Sequence, residues 1–111
     1  MQREEDTRKI AALNDRLRSH GAGGEIYVTS GIHALGTEFV DRALAAIRSF
    51  DAFTPDNDPY GEHDFGALEI SGKRLFFKID YYDPTRSRGS DDPTGPAQTL
   101  HVLTITLAEE Y

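Results

Sequence analysis

The 111-residue chain contains no cysteine, which excludes disulfides, thiolate metal sites and cysteine nucleophiles and suits a reducing compartment. It lacks any run approaching the ~18 apolar residues that a membrane-spanning helix needs. Its first residues, Met1-Gln2-Arg3-Glu4-Glu5-Asp6, have no apolar core of the secretory type. A cytoplasmic protein is therefore expected, with no membrane partner. Phosphate-cradling glycine signatures are missing as well. Gly21-Ala22-Gly23-Gly24 has neither the GxGxxG nor the GxxxxGK[ST] spacing. The four histidines, His20, His33, His63 and His101, are too scattered for the HExxH pattern of zinc hydrolases. No internal repeat is visible, and one domain over residues 1–111 is expected at this length.

Positive charge is scarce in the second half. Seven acids and seven bases cancel over residues 1–50, whereas twelve acids against five bases over 51–111 account for the whole net charge of −7. Such a field repels a phosphate backbone, so no direct nucleic-acid binding is expected, and it favours a basic partner or cations. Solubility alone also explains an acidic surface.

Apolar periodicity supplies the secondary structure. Ile10, Leu13 and Leu17 make a helical stripe within residues 5–19, with Arg8, Lys9, Asp15, Arg16 and Arg18 assigned to the water face. Asp6 or Thr7 is a suitable cap, and Gly21 a suitable stop. Residues 25–30 read as a strand and 31–36 as a glycine-bounded connector. A second helix is expected over 38–50, capped by Thr37, with Val40, Ala43, Leu44, Ile47 and Phe50 on its apolar face. Residues 65–70 and 75–82 form a hairpin around Ser71-Gly72-Lys73-Arg74. Leu75, Phe77, Ile79 and Tyr81 face one way, and Phe76, Lys78, Asp80 and Tyr82 the other. Residues 83–98 read as a long loop, and 99–108 as the last strand. The order α-β-α-β-β-β implies an α+β fold: two helices packed on a mostly antiparallel sheet of about four strands.

The densest chemistry lies in residues 50–66, FDAFTPDNDPYGEHDFG, where two prolines, two glycines, five acids, one histidine and four aromatic rings defeat any simple period. This is a structured loop joining a helix to a strand. Asp56, Asp58, Glu62, His63 and Asp64 offer oxygen and imidazole ligands, and magnesium or manganese is the alternative cofactor, with Asp80 or Asp83 available to complete a site. An EF-hand frame started at Asp56 fails, because Tyr60 falls at its fifth position and Ala67 where a bidentate glutamate is needed. Acid–base catalysis by Glu62, His63 or Asp64 is a second reading, since neighbouring carboxylates favour the charged imidazole. A third is architectural: Asp56 and Asn57 make Asx-turns, Pro55 and Pro59 set φ, and Phe53, Tyr60 and Phe65 pin the loop to the core. Tyr81-Tyr82-Asp83 invites either an interface role or a core-and-cover role. Arg86 and Arg88 are placed either to dock an anion or to pair with Asp91 and Asp92.

The phrases FTPDNDPYGEHDFG, KIDYYD and LTITLAEEY, with TRKIAALNDRLR over 7–18, carry a resemblance covering nearly the whole chain. The sequence resembles an uncharacterised bacterial family of small proteins catalogued as a domain of unknown function. Its members resemble accessory genes of plasmids and integrative elements, often beside anti-restriction genes. That resemblance implies a setting and no mechanism or cofactor. Combined with the one-sided charge, it leads to the expectation of a small acidic protein-binding module. The specific form is a mobile-element inhibitor of the anti-CRISPR or anti-restriction type. It would occupy a basic nucleic-acid-binding surface on a protein or ribonucleoprotein complex. The expected interaction surface is Asp56, Asp58, Tyr60, Glu62, His63, Asp64, Tyr82, Asp83, Asp91 and Asp92. The alternative is a divalent-metal-dependent hydrolase or transferase using the Asp56–Asp64 loop. A homodimer paired through an exposed sheet edge is a further alternative.

Overall fold

A computed structural model describes residues 2–83, 89, 94 and 99–111, with side chains from residue 4 onward. Most of the long 83–98 loop, including Arg86, Arg88, Asp91 and Asp92, lies outside the described residues.

The chain runs α1 (Gln2–His20), β1 (Gly24–Val28), α2 (Ser30–His33), α3 (Thr37–Arg48), β2 (Phe65–Ile70), β3 (Lys73–Tyr82) and β4 (Leu100–Leu107), then a 3-10 turn over Ala108–Glu110. The strands form one sheet in the order β1-β4-β3-β2. The α+β architecture with a mostly antiparallel four-stranded sheet is as expected; among the described residues the one parallel pair is β1 with β4, from Gly24 opposite His101 to Val28 opposite Ile105. Among the described residues no helix is long and apolar enough to cross a membrane.

Strand parity builds the core. Leu75, Phe77 and Ile79 of β3 and Leu103, Ile105 and Leu107 of β4 point to the helix-covered face, where Leu17, Ile32, Ala43 and Ile47 from the three helices close over them. Burying a side chain of this size contributes about 1.5–3 kcal/mol. On the other face, Phe76 packs between Phe65 and Tyr111, with centroid separations of 5.3 and 5.6 Å, beside a Lys78–Asp80 ion pair of 3.0 Å.

Geometry demands glycine at Gly66 and at the hairpin turn. Gly66 stands opposite Phe77, and a Cβ there would run into the rings of Phe77 and Phe50. Ser71 and Gly72 both have positive φ, 51° and 81°, giving the two-residue hairpin turn that suits the right-handed twist of paired strands. Lys73 and Arg74 therefore belong to β3, not to the turn.

Several boundaries depart from the sequence expectation. Helix α1 starts at Gln2 because Glu4 and Glu5 sit in its first turn, where carboxylates meet the positive end of the helix dipole. Gly36 occupies the N-cap of α3 at φ 100°, a conformation open to glycine, so Thr37 is the first helical residue. Within the connector, Ser30–His33 closes a helical turn. At the far end α3 stops at Arg48, with Ser49 Oγ donating to Ala45 O at 3.2 Å. Phe50 still reaches the core from the loop, edge-on to Phe77 at 5.1 Å.

Arg18 requires the largest correction. It was expected in water, yet it is 6% exposed. Its guanidinium lies 5.1 Å over the Phe53 ring and Nη1 donates to Asp15 Oδ1 at 2.8 Å. An aromatic face and a carboxylate together make burial of this cation tolerable.

Candidate functional site: the loop after the third helix and its polar anchor

The loop over 49–64 is fastened from within. Thr54 N–H donates to Asn57 Oδ1 at 2.9 Å and Asn57 N–H to Thr54 Oγ1 at 3.3 Å. Asn57 Nδ2 reaches back to Ala52 O at 3.0 Å. Two turns follow, Asp58 N–H to Thr54 O at 2.8 Å and Gly61 N–H to Asp58 O at 3.1 Å. The Asx-type bonding expected here is carried by Asn57 and Asp58.

Asp58 is 7% exposed. Its carboxylate accepts the His63 backbone N–H at 3.2 and 3.3 Å, a charge-assisted bond that holds His63 at φ 57°, a region rarely adopted by non-glycine residues. The His63 ring stacks flat on Phe53, with centroids 4.1 Å apart and planes 5° apart. Its Nδ1 lies 2.9 Å from Asp15 Oδ1. A carboxylate only accepts, so Nδ1 carries the proton. The carboxylates facing the imidazole are thus Asp15 and, 3.8 Å from Nε2, Asp58. They are not the sequence neighbours Glu62 and Asp64.

Beneath the loop lies a second polar group. Asn14 is fully buried, and both its amide hydrogens and its oxygen are bonded. Nδ2 donates to Glu62 O and to Tyr81 Oη, each at 2.9 Å, and Oδ1 accepts from His101 Nδ1 at 2.7 Å. Tyr81 Oη in turn donates to Glu62 Oε1 at 2.8 Å. One amide thereby joins α1, the loop, β3 and β4. Burial pushes the Tyr81 hydroxyl well above its ordinary range; the bond from Asn14 works against this and the Glu62 carboxylate works with it. Tyr81 therefore serves as a neutral donor. Asp64 is also pushed above the usual aspartate range, first by burial and next by the charge of Glu62.

The residues expected at an interaction surface separate into groups. Asp58, Glu62 and His63 turn inward as fasteners. Asp56 is exposed and Tyr60 is 80% exposed, and Asp64 is half-buried. Tyr60, Pro59 and Glu62 line a groove of about 660 Å³ against Glu4, Thr7 and Arg8 of α1. Tyr82 points to the opposite face of the sheet from Tyr81, lining a cavity with Glu25, Tyr27 and Val102, and Asp83 is half-buried at the end of β3. Among the described residues no group of three or more His, Asp or Glu side chains is arranged to hold a metal ion.

The fold and site define a small α+β protein whose most unusual loop is clamped onto its first helix and its sheet. The chain belongs to the family described as Protein of unknown function (DUF3768), whose model matches residues 28–110. No curated protein and no solved structure matches the chain significantly.

Proposed function

We propose that this protein is a small acidic protein-binding module that presents the tip of the 50–66 loop to a basic partner. The observation that carries this reading is Tyr60. It is displayed to solvent at the tip of a loop whose backbone is held by at least six internal hydrogen bonds, on a groove that it shares with Glu4. A large side chain with few rotors on a pre-ordered loop loses little entropy on docking, which is why tyrosine anchors interfaces well. The net charge of −7, all of it arising after residue 50, supports a partner with a basic, nucleic-acid-handling surface. In the mobile-element setting that the sequence resemblance implies, that partner belongs to a host defence system directed at foreign nucleic acid, and the protein is its inhibitor.

The test is affinity capture from nuclease-treated bacterial lysate, comparing the native chain with Tyr60→Ala/Asp56→Asn. These two side chains are exposed and hold nothing in place, so the variant keeps its fold. The expected result is a nucleic-acid-handling complex retained by the native chain, released by rising salt, and lost in the variant. Retention that is indifferent to salt sinks the electrostatic mechanism. Retention that is indifferent to the double substitution removes the loop tip from the interface.

A further inference from the structure

Strand β1 is an edge of the sheet, with β4 as its neighbour, and an edge strand bonds its neighbour through alternate residues. Thr29 N–H donates to Ile105 O at 3.1 Å. In step with it, Glu25 and Tyr27 turn their backbone groups to β4, while Gly24, Ile26 and Val28 turn theirs outward. Among the described residues no strand meets that outer side. Proteins guard such a row of open donors and acceptors with lysine, proline or a bulge. The strand Gly24-Glu25-Ile26-Tyr27-Val28 contains neither lysine nor proline, and its register with β4 runs unbroken. Its side chains are open as well. Ile26 is 37% and Tyr27 52% exposed, and beside Ile26 the helices leave a cavity of about 430 Å³, walled by Leu44 and Ile47 among others.

We propose that two copies of this chain pair through β1, antiparallel about a two-fold axis at Ile26, and join their sheets into one. In that register the strand is complementary to itself. Ile26 faces the partner's Ile26, so each covers the exposed part of the other, and Gly24 faces the partner's Val28. In both pairs the backbone groups point at each other, and each pair exchanges two N–H···O bonds. On the uncovered face of the sheet, Glu25 falls opposite the partner's Tyr27 and not opposite a second glutamate. Tyr27 Oη donates to Glu25 Oε1 within one chain, and the same bond is open to it across the axis. Charge selects this edge over β2. Strand β1 lies in the half whose seven acids and seven bases cancel, whereas β2 lies in the half that carries the net −7, so copies meeting there would repel. The Tyr60 groove is lined by the first turns of α1, and β1 follows its last turn, nineteen residues on. Self-pairing is thus independent of the partner-binding reading.

The experiment is sedimentation velocity on the full chain from micromolar to millimolar concentration, with amide hydrogen exchange on the same samples to locate the contact. So short an edge makes a small, reversible interface, and the mass is expected to rise with concentration from one chain to two. Over the same range the Ile26 and Val28 amides should slow by at least about tenfold, because exchange then requires the pair to open. Those of Glu25 and Tyr27, which face β4, should change less. Ile26→Lys sets two like charges face to face and should weaken association by at least about tenfold. A mass of one chain across the whole range overturns the proposal. So does a dimer in which the Ile26 and Val28 amides keep their dilute rates, as pairing through β2 would give. Slow exchange at Ile26 that ignores concentration overturns it too, since the edge is then covered within one chain. All three readings come from the native chain and stand without the variant.

Discussion

His63 and Asp15, forty-eight residues apart in sequence, meet side chain to side chain at 2.9 Å, and the same Asp15 oxygen receives Arg18 at 2.8 Å. One carboxylate thus serves a loop imidazole and a buried guanidinium. Its neutral or absent form would strand both, and a buried cation without a counter-charge is among the costlier defects a fold can carry.

Asp15→Ala is accordingly expected to destabilise the protein by roughly 2–4 kcal/mol, a range discounted for the partial exposure of Asp15 itself. Urea unfolding measures it. A loss under about 0.5 kcal/mol, the size expected of an unimportant surface position, would show that Arg18 finds another partner. The His63 ring resonances should lose the shift caused by stacking on Phe53 if the loop is released at the same time.

Asn14 makes three bonds from a fully buried position. Asn14→Leu keeps the side-chain branching and removes all three, so that the Glu62 carbonyl, the Tyr81 hydroxyl and His101 Nδ1 each lose that bond. The expected cost is about 2–4 kcal/mol, because stranded polar groups keep their desolvation penalty. Tyr81→Phe removes the bond from Asn14 and the one to Glu62 but leaves the amide its other two partners, and should cost less, about 1–2 kcal/mol. Equal losses from the two substitutions would place the weight on Tyr81 rather than on the amide.

The two perturbed carboxylates predict opposite responses to pH. Glu110 accepts from Thr29 Oγ1 at 2.7 Å, from Gly31 N–H at 3.0 Å and from Leu107 N–H at 2.9 Å. These bonds, the one from Thr29 foremost, hold its carboxyl below the ordinary glutamate range. The stabilisation is present in full above that range and fades as the pH falls through the folded value. Glu110→Gln should therefore lower the thermal midpoint at neutral pH, with the gap to the native chain closing on acidification.

Asp64 behaves in reverse. Burial raises its carboxyl, so the folded state resists losing a proton that the unfolded chain gives up readily. The penalty is absent below the ordinary aspartate range, grows as the pH rises from there to the folded value, and is complete above it. Asp64→Asn should raise the midpoint at neutral pH and leave it unchanged in acid. Scanning fluorimetry across a pH series tests both carboxylates. Parallel pH curves for native chain and variant would refute either assignment.

Much of this fold was legible from residue patterns. The spacing of Val40, Ala43, Leu44 and Ile47 announces α3, and the alternation through Leu75, Phe77, Ile79 and Tyr81 fixes which way β3 faces. The polar anchor was harder to read, because asparagine and arginine on a helix usually face water. A signal was nevertheless present. Asn14 stands four residues after Ile10 and three before Leu17, inside the apolar stripe. His101 shares the parity of Leu103, Ile105 and Leu107. Two polar residues at inward positions must find partners, and they found each other. What no local pattern holds is the pairing of His63 with Asp15, since chain topology alone brings the loop back over α1. Nor does any local pattern make β1 run parallel to β4.

That parallel pairing has a consequence for the timing of folding. Strand β4, flanked in the sheet by both β1 and β3, follows both of them in sequence. Until residues 100–107 emerge from the ribosome, β1 has no neighbour at all, the β2–β3 hairpin has an open inner edge, and Asn14 waits for His101. Closing so distant a contact is entropically slow. The sheet therefore closes in one step once β4 is made, and a chain stalled short of Leu100 would be a hairpin and loose helices, an easy mark for proteases.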